Sequence, residues 1–230
     1  MRIVGHTGLA LAVLAAPAFG QVKETRRLRA CGEVFREVMG VREGIPVDLL
    51  RKAYCVAVIP SVKKVALGVG ARFGKGAVVC RTDRGRGPWG APLMISLGGG
   101  SFGFQIGAQA TDYVFLVMNP KGIDQLLESK FTLGADCSIA AGPVGRSLEA
   151  ATDLQMRAEI LTYSRSRGLF AGLALEGAVV KQDKDANEEV YGGAIDAREL
   201  VLTGDHTTPA AGRDLLDALR EISPRRESAD

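Results

Sequence analysis

Glycine recurs inside segments that otherwise read as β-strand, and this constrains the fold more than any other feature of the chain. "LGVG" (67–70), "SLGGGSFGFQIG" (96–107), "LGADCSIAAG" (133–142) and "LFAGLALEG" (169–177) each set glycine among apolar or alternating residues. A strand residue without Cβ permits a bulge, a sharp bend or the close approach of another backbone. Repeated in four segments, it predicts a sheet that curls strongly on itself.

One of these runs imitates a nucleotide-binding motif. "GGGSFG" (98–103) fits G-x-G-x-x-G, which carries that chemistry only where a strand ends and a helix begins. "APLMISL" before it is strand-like, but "FGFQIGAQATDYVFLVM" after it alternates with period two, placing Phe102, Phe104, Ile106 and Ala108 on one parity. That is a continuing strand. Asp124, at about the distance of a ribose-binding acid, falls in a separate predicted helix. No dinucleotide site is expected.

The opening "MRIVGHTGLALAVLAAPAFG" has a basic residue, an apolar stretch over Leu9–Ala16 and small residues at its end. This is the layout of a secretory signal peptide, too short to span a bilayer. Residues 1–20 are therefore expected to be removed and the mature protein to be exported, periplasmic or secreted and peripheral to a membrane. Residues 21–222 are expected to form one domain and 223–230, "SPRRESAD", a disordered tail. Export makes disulfides possible. Cys31, Cys55, Cys80 and Cys137 lack a C-x-x-C spacing, and the strand-like surroundings of the last three favour buried free thiols over a Cys55–Cys80 bridge.

Periodicity places helices at the two ends. In "VKETRRLRACGEVFREVMG" (22–40), Leu28, Cys31, Phe35 and Val38 recur at helical spacing. A short helix follows Pro46, then a buried strand "YCVAVIP" ended by Pro60, then a hairpin turning near "FGKG" (73–76). A polar loop (81–92) with the single tryptophan leads to strands over 93–109 and 113–118, a short helix from "NPKGIDQLL", strands over 131–142 and 159–180, and a strand at "VYGG" (190–193). Thr208 and Pro209 open a final helix to residue 222. Without βαβ alternation the fold class is α+β: one domain with a curved, mostly antiparallel, barrel- or sandwich-like sheet flanked by N- and C-terminal helices.

Charge is unevenly spread. Residues 21–88 carry 15 Lys and Arg against 6 Asp and Glu, and residues 89–230 carry 13 against 20. A basic front half points to an anionic partner surface. Nucleic acid is not expected, because the basic residues lack interleaved aromatics and the chain carries an export signal. Catalysis is not expected either: the histidine outside the signal segment, His206, has no G-x-S-x-G elbow to serve. Asp183, Asp185 and Asn187 have the spacing of a calcium loop's first ligands. Glu188 stands where that loop needs glycine and Ala194 where it needs glutamate, so an acidic hairpin turn is expected, with neither metal nor cofactor.

The stretches "GVGARFGKGAVV", "GPWGAPLMISLGGGSFGFQIGAQATDYVFLVMN", "FTLGADCSIAAGPVGR" and "LTYSRSRGLFAGLALEGAVV" together resemble the SYLF domain, a lipid-binding domain also found in eukaryotic regulators of the actin cytoskeleton. The resemblance runs from about Ala53 to Tyr191. It implies a single α+β domain and, in eukaryotic members, phosphoinositide binding through a basic amphipathic N-terminal helix, with actin binding in some. Gly90 departs from the pattern, which has serine after the tryptophan. Carried over, the lipid-contacting helix is 22–40, with Lys23, Arg26, Arg27 and Arg29 as the cations; its Leu28 and Phe35 either enter the membrane or pack on the sheet. Lys63, Lys64, Arg72 and Lys75 form a second basic group in the hairpin region, and Arg84 and Arg86 flank Trp89 in an arrangement suited to a membrane interface. The expected function is non-catalytic, peripheral binding of anionic lipid. The alternative is a structural or protein-interaction domain of the cell envelope, with a protein partner and no lipid dependence.

Overall fold

The computed structural model describes residues 17–41, 44–143, 157–166, 169–170 and 175–227. Helix α1 (Pro17–Gly40) is the long N-terminal helix that the apolar spacing predicts. Leu28, Cys31, Val34, Phe35 and Val38 are all buried, and Phe35 has no exposed surface. A short α2 (Val47–Lys52) follows Pro46 and adds Leu49 and Leu50 to the same core.

The sheet is built on one long ribbon. β1 (Cys55–Cys80) and β2 (Leu93–Val117), with the one-turn helix α3 (Thr82–Gly85) between them, are antiparallel from the pair Cys55–Val117 to the pair Val78–Leu93. The ribbon is folded double. Cys55 and Cys80, at opposite ends of β1, lie 4.0 Å apart at Cα and form a disulfide. A Cβ on Gly76 would stand 2.0 Å from the carbonyl oxygen of Val58, so glycine is needed where the two arms of β1 meet backbone to backbone. The free edge of β2 is shared by two strands. Ile95–Gly98 pair with β7 (Val179–Gln182), which also pairs with β3 (Lys130–Thr132). Asp112–Val117 pair with β5 (Ile160–Ser166), which carries β4 (Ile139–Ala141) in parallel and β6 (Leu169–Phe170) antiparallel. The curved α+β sheet expected from the glycines is thus present.

Near the two ends of β1, both faces of the ribbon are covered. Val56, Val58, Ala77, Val79, Met94 and Val114 face a core shared with α1, α2 and the last helix, α7 (Arg213–Ile222). Cys55, Ala57, Ile59, Val78, Leu93 and Phe115 face a second core closed by α4 (Pro120–Leu127) and α6 (Ala197–Leu202). Burial on both sides is why "YCVAVI" and "YVFLVM" read as unbroken apolar runs.

Several local expectations are corrected. Pro60 does not end its strand: β1 passes through it with a register shift between Ile59 and Val62, where Ser61 adopts φ 49° and its N–H donates to the Asp112 carboxylate at 2.8 Å. "FGKG" is no turn; Phe73–Gly76 pair with Gly98–Ile95, and the glycines serve the close passage of the arms instead. "GGGSFG" is strand, as its context predicts. The disulfide replaces the favoured free thiols at 55 and 80, while Cys31 and Cys137 are free and buried. The residues read as an acidic turn and a "VYGG" strand form a helix, α5 (Lys184–Tyr191), ended by left-handed Gly192. Asn187 fixes it to the sheet, its amide oxygen accepting from the Met94 N–H at 2.8 Å and its amide nitrogen donating to the Met94 carbonyl at 3.1 Å. Helix α6 has a legible start, Asp196, whose carboxylate accepts from the N–H groups of Arg198 and Glu199. Helix α7 begins not at Thr208 but after a 3-10 turn, Ala210–Gly212.

Candidate functional site

Helix α1 has two unlike faces. Its apolar face is docked on the first core, so Leu28 and Phe35 resolve to packing on the sheet, 1% and 0% exposed. Lys23, Arg26 and Arg29 lie on the exposed side. Lys23 approaches Glu24 at 3.9 Å. Beside this face runs a groove of about 890 Å³ lined by Val22, Thr25, Arg26 and Arg29 on α1, with Val190 and Pro209–Ala211 opposite.

Arg27 is not part of the exposed set. It is buried at 9% exposure and forms the centre of an ion cluster. Its guanidinium donates to Glu24 at 2.9 Å, to Asp183 at 2.8 Å, to the Gly76 carbonyl at 2.9 Å and to the Ile95 carbonyl. Lys75 reaches the same Asp183 oxygen at 2.8 Å. Two of the eight expected lipid contacts, Arg27 and Lys75, are therefore spent on joining α1, the ribbon and the start of α5. The reason is geometric: position 27 follows 24 by three residues, one helical turn toward the sheet. Burial tends to raise the Asp183 pKa, but hydrogen bonds from Lys75 and Arg27 outweigh it and hold the carboxyl below its ordinary value. Sequence reasoning missed Glu24 and Asp183. The i, i+3 pairing of Glu24 with Arg27 was the available signal; the 156-residue separation of Arg27 from Asp183 left none.

Of the ribbon cations, Lys63 is exposed, and Lys64 and Arg72 are half-exposed. The tryptophan loop turns inward. Trp89 is 1% exposed, donates from Nε1 to the Ser223 carbonyl at 2.8 Å, and carries the guanidinium of Arg81 4.0 Å above its ring. Arg81 also donates to the Ser223 carbonyl and hydroxyl, and its burial, aided by the charge of Arg226, lowers its pKa to about 10. Arg84 and Arg86 pair with Asp124 and Asp83, so this loop offers no tryptophan to a membrane. Residues 223–227, at the start of the stretch read as a disordered tail, strap this loop: Arg226 lies over Tyr54 at 4.2 Å and donates to the Gly85 carbonyl. Gly90 is buried, where a Cβ would sit 3.1 Å from the Thr82 methyl, so a side chain there would press on the tryptophan loop. His206 sits edge-on to Tyr191 with Nε2 3.8 Å from Glu199. Of the calcium-like trio, Asp183 and Asn187 are engaged as described.

Residues 98–222 match the family described as "Ysc84: Las17-binding protein actin regulator". Over 188 residues the chain is 39% identical to an SH3 domain-containing protein of Schizosaccharomyces pombe, covering 80% of this chain and 43% of that protein. It is 36% identical over 185 residues to human SH3 domain-containing YSC84-like protein 1 (80% and 53%) and 34% identical over 194 residues to LAS seventeen-binding protein 3 of Saccharomyces cerevisiae (83% and 41%). The chain thus spans about half the length of these relatives. With the curled ribbon and docked N-terminal helix in place, the chain belongs to the Ysc84 family and carries its SYLF domain.

Proposed function

We propose that the domain is a non-catalytic module that binds anionic membrane surfaces through the outward face of α1. The observation that carries this reading is the division of the helix. Its apolar side and Arg27 are committed to the fold, while Arg26 and Arg29 project outward with no acidic partner among the described residues. Each cation near an anionic surface contributes about 1 kcal/mol. Lys23, Arg26 and Arg29 together supply roughly 3 kcal/mol, about a hundredfold in affinity, with Lys63, Lys64 and Arg72 in support. The triple change of Lys23, Arg26 and Arg29 to Ala is expected to lower sedimentation with phosphatidylcholine–phosphatidylserine vesicles by about that factor at low salt. Arg27 is left in place so that the fold survives. Equal binding to pure phosphatidylcholine vesicles, or an unaffected triple variant, overturns the proposal.

A second reading is favoured by the relatives. The family description denotes a Las17-binding actin regulator, and the name LAS seventeen-binding protein 3 denotes protein binding, which makes a protein partner for this domain the alternative. That reading expects no dependence on anionic lipid.

We also infer export, from the layout of residues 1–20 and from the disulfide, which persists in oxidising compartments. Mass spectrometry of protein from its native host is expected to find the N-terminus at Phe19 or Gln21; an intact Met1 refutes it.

A further inference from the structure

The folded ribbon leaves part of one sheet face uncovered. Val62 points into the second core, and a Cβ on Gly74 would meet Val62 Cγ2 at 2.6 Å. Strand alternation therefore sends Lys63, Val65, Ala71 and Phe73 to the opposite face, the one that α1 covers farther along. There Phe73 is 55% exposed and Val65 54%. Directly across the ladder stand Ala110, Ala108, Gly100 and Gly98, and these paired residues are too small to shield them. Among the described residues Phe73 is the one aromatic of the large exposed apolar side chains.

The border of this face is cationic. Lys63 is exposed on it, and Lys75, of the same parity as Phe73, leans over to Asp183, which Arg27 of α1 also holds. This bridge, with the Arg27 bond to the Gly76 carbonyl, ties the turn of α1 that bears Lys23 and Arg26 to the arm of β1 that bears Phe73. The nearest acid in the ladder, Asp112, is occupied by the Ser61 N–H.

Resting on the anionic-membrane reading above, we propose that Phe73 and Val65 are a membrane-inserting wedge, seated among lipid acyl chains while Lys63, Lys23 and Arg26 contact the anionic headgroups. Exposed apolar area gains free energy on entering an apolar phase, and cations on the same face favour the charged boundary of a bilayer over a neutral partner. The wedge gives depth, where α1 alone gives a charge-dependent attraction at the surface.

The test is a Phe73→Trp variant of the whole chain with phosphatidylcholine–phosphatidylserine vesicles. Trp89 is buried and supplies a constant background. A blue shift of the added tryptophan's emission, with quenching by lipids brominated along the acyl chain, is the expected result. Phe73→Ser is expected to reduce vesicle partition about tenfold with an unchanged melting temperature, since the side chain is already half in solvent. If Phe73→Trp sediments with anionic vesicles but shows no shift or quenching, the wedge is refuted while the α1 reading stands. If the unaltered protein ignores anionic vesicles, both fall. A dimer in analytical ultracentrifugation that Phe73→Ser converts to monomer assigns the face to a second copy and overturns the proposal.

Discussion

Replacement of Arg27 by alanine is expected to cost about 3–5 kcal/mol of stability, enough to threaten folding of a single domain. The side chains of Arg27, Glu24 and Asp183 are 7%, 3% and 11% exposed. Removing the guanidinium leaves a buried carboxylate at Glu24 and strips the Gly76 and Ile95 carbonyls of their side-chain donor. Urea titration monitored by circular dichroism measures the loss; a change below about 1 kcal/mol would show that the cluster contributes no net stability. Asp183→Asn tests the same cluster through pH. The folded carboxyl is held below its ordinary 3.8, so its contribution is fully present above that value and fades as pH falls through the folded pKa. The stability difference between the unaltered protein and Asp183→Asn is therefore expected to be constant near neutrality and to shrink in acid below about pH 4.

Loss of the Cys55–Cys80 disulfide is the second large effect expected. The bridge closes a segment with sequence separation 25, and cross-linking a loop of that size restricts the unfolded chain by about 3 kcal/mol. Cys55→Ala/Cys80→Ala is thus expected to lower the melting temperature by several degrees while leaving vesicle binding intact, because neither sulfur is near the cationic surface. Both cysteines are 1% exposed or less, so native protein should resist dithiothreitol and yield the bridge only on unfolding. Four free thiols instead of two, on titration of the unreduced protein in denaturant, would show that the bridge is absent.

What was legible in the sequence was whatever depends on near neighbours. Leu28, Cys31, Phe35 and Val38 announced α1 and its apolar face, though not what covers it, Asn119 and Pro120 the start of α4, and the in-strand glycines a sheet that bends. What was not legible depends on distant pairs. Gly76 and Lys75 suggested a turn because the partner that demands a glycine, Val58, lies on another arm of the same strand. Arg27 looked like its exposed neighbours because charge is visible in a sequence and burial is not. The acidic run 183–189 looked like a turn because the Asn187 clamp on Met94 and the Asp183 ion pairs come from segments about 90 to 156 residues away. Of the basic residues, Lys23, Arg26 and Arg29 stand exposed on α1, Arg27 is buried, and half-exposed Lys75 is paired with Asp183.

The ribbon also orders its own assembly. Its ladder begins where Val78 meets Leu93, 15 residues apart, and ends where Cys55 meets Val117, 62 apart. Closing the second pair from the unfolded chain is entropically harder, but after each rung the next closes a gap of only a few residues. Zippering outward from the 81–92 loop therefore reaches distant pairings at nearly local cost, and a sheet of high contact order need not fold slowly. Trp89, at the origin of the zipper, is fastened by Ser223, more than a hundred residues after the ribbon's last pair. Made from one end to the other, the chain completes both strands of its ribbon before the residue that locks the ribbon's starting point has been added.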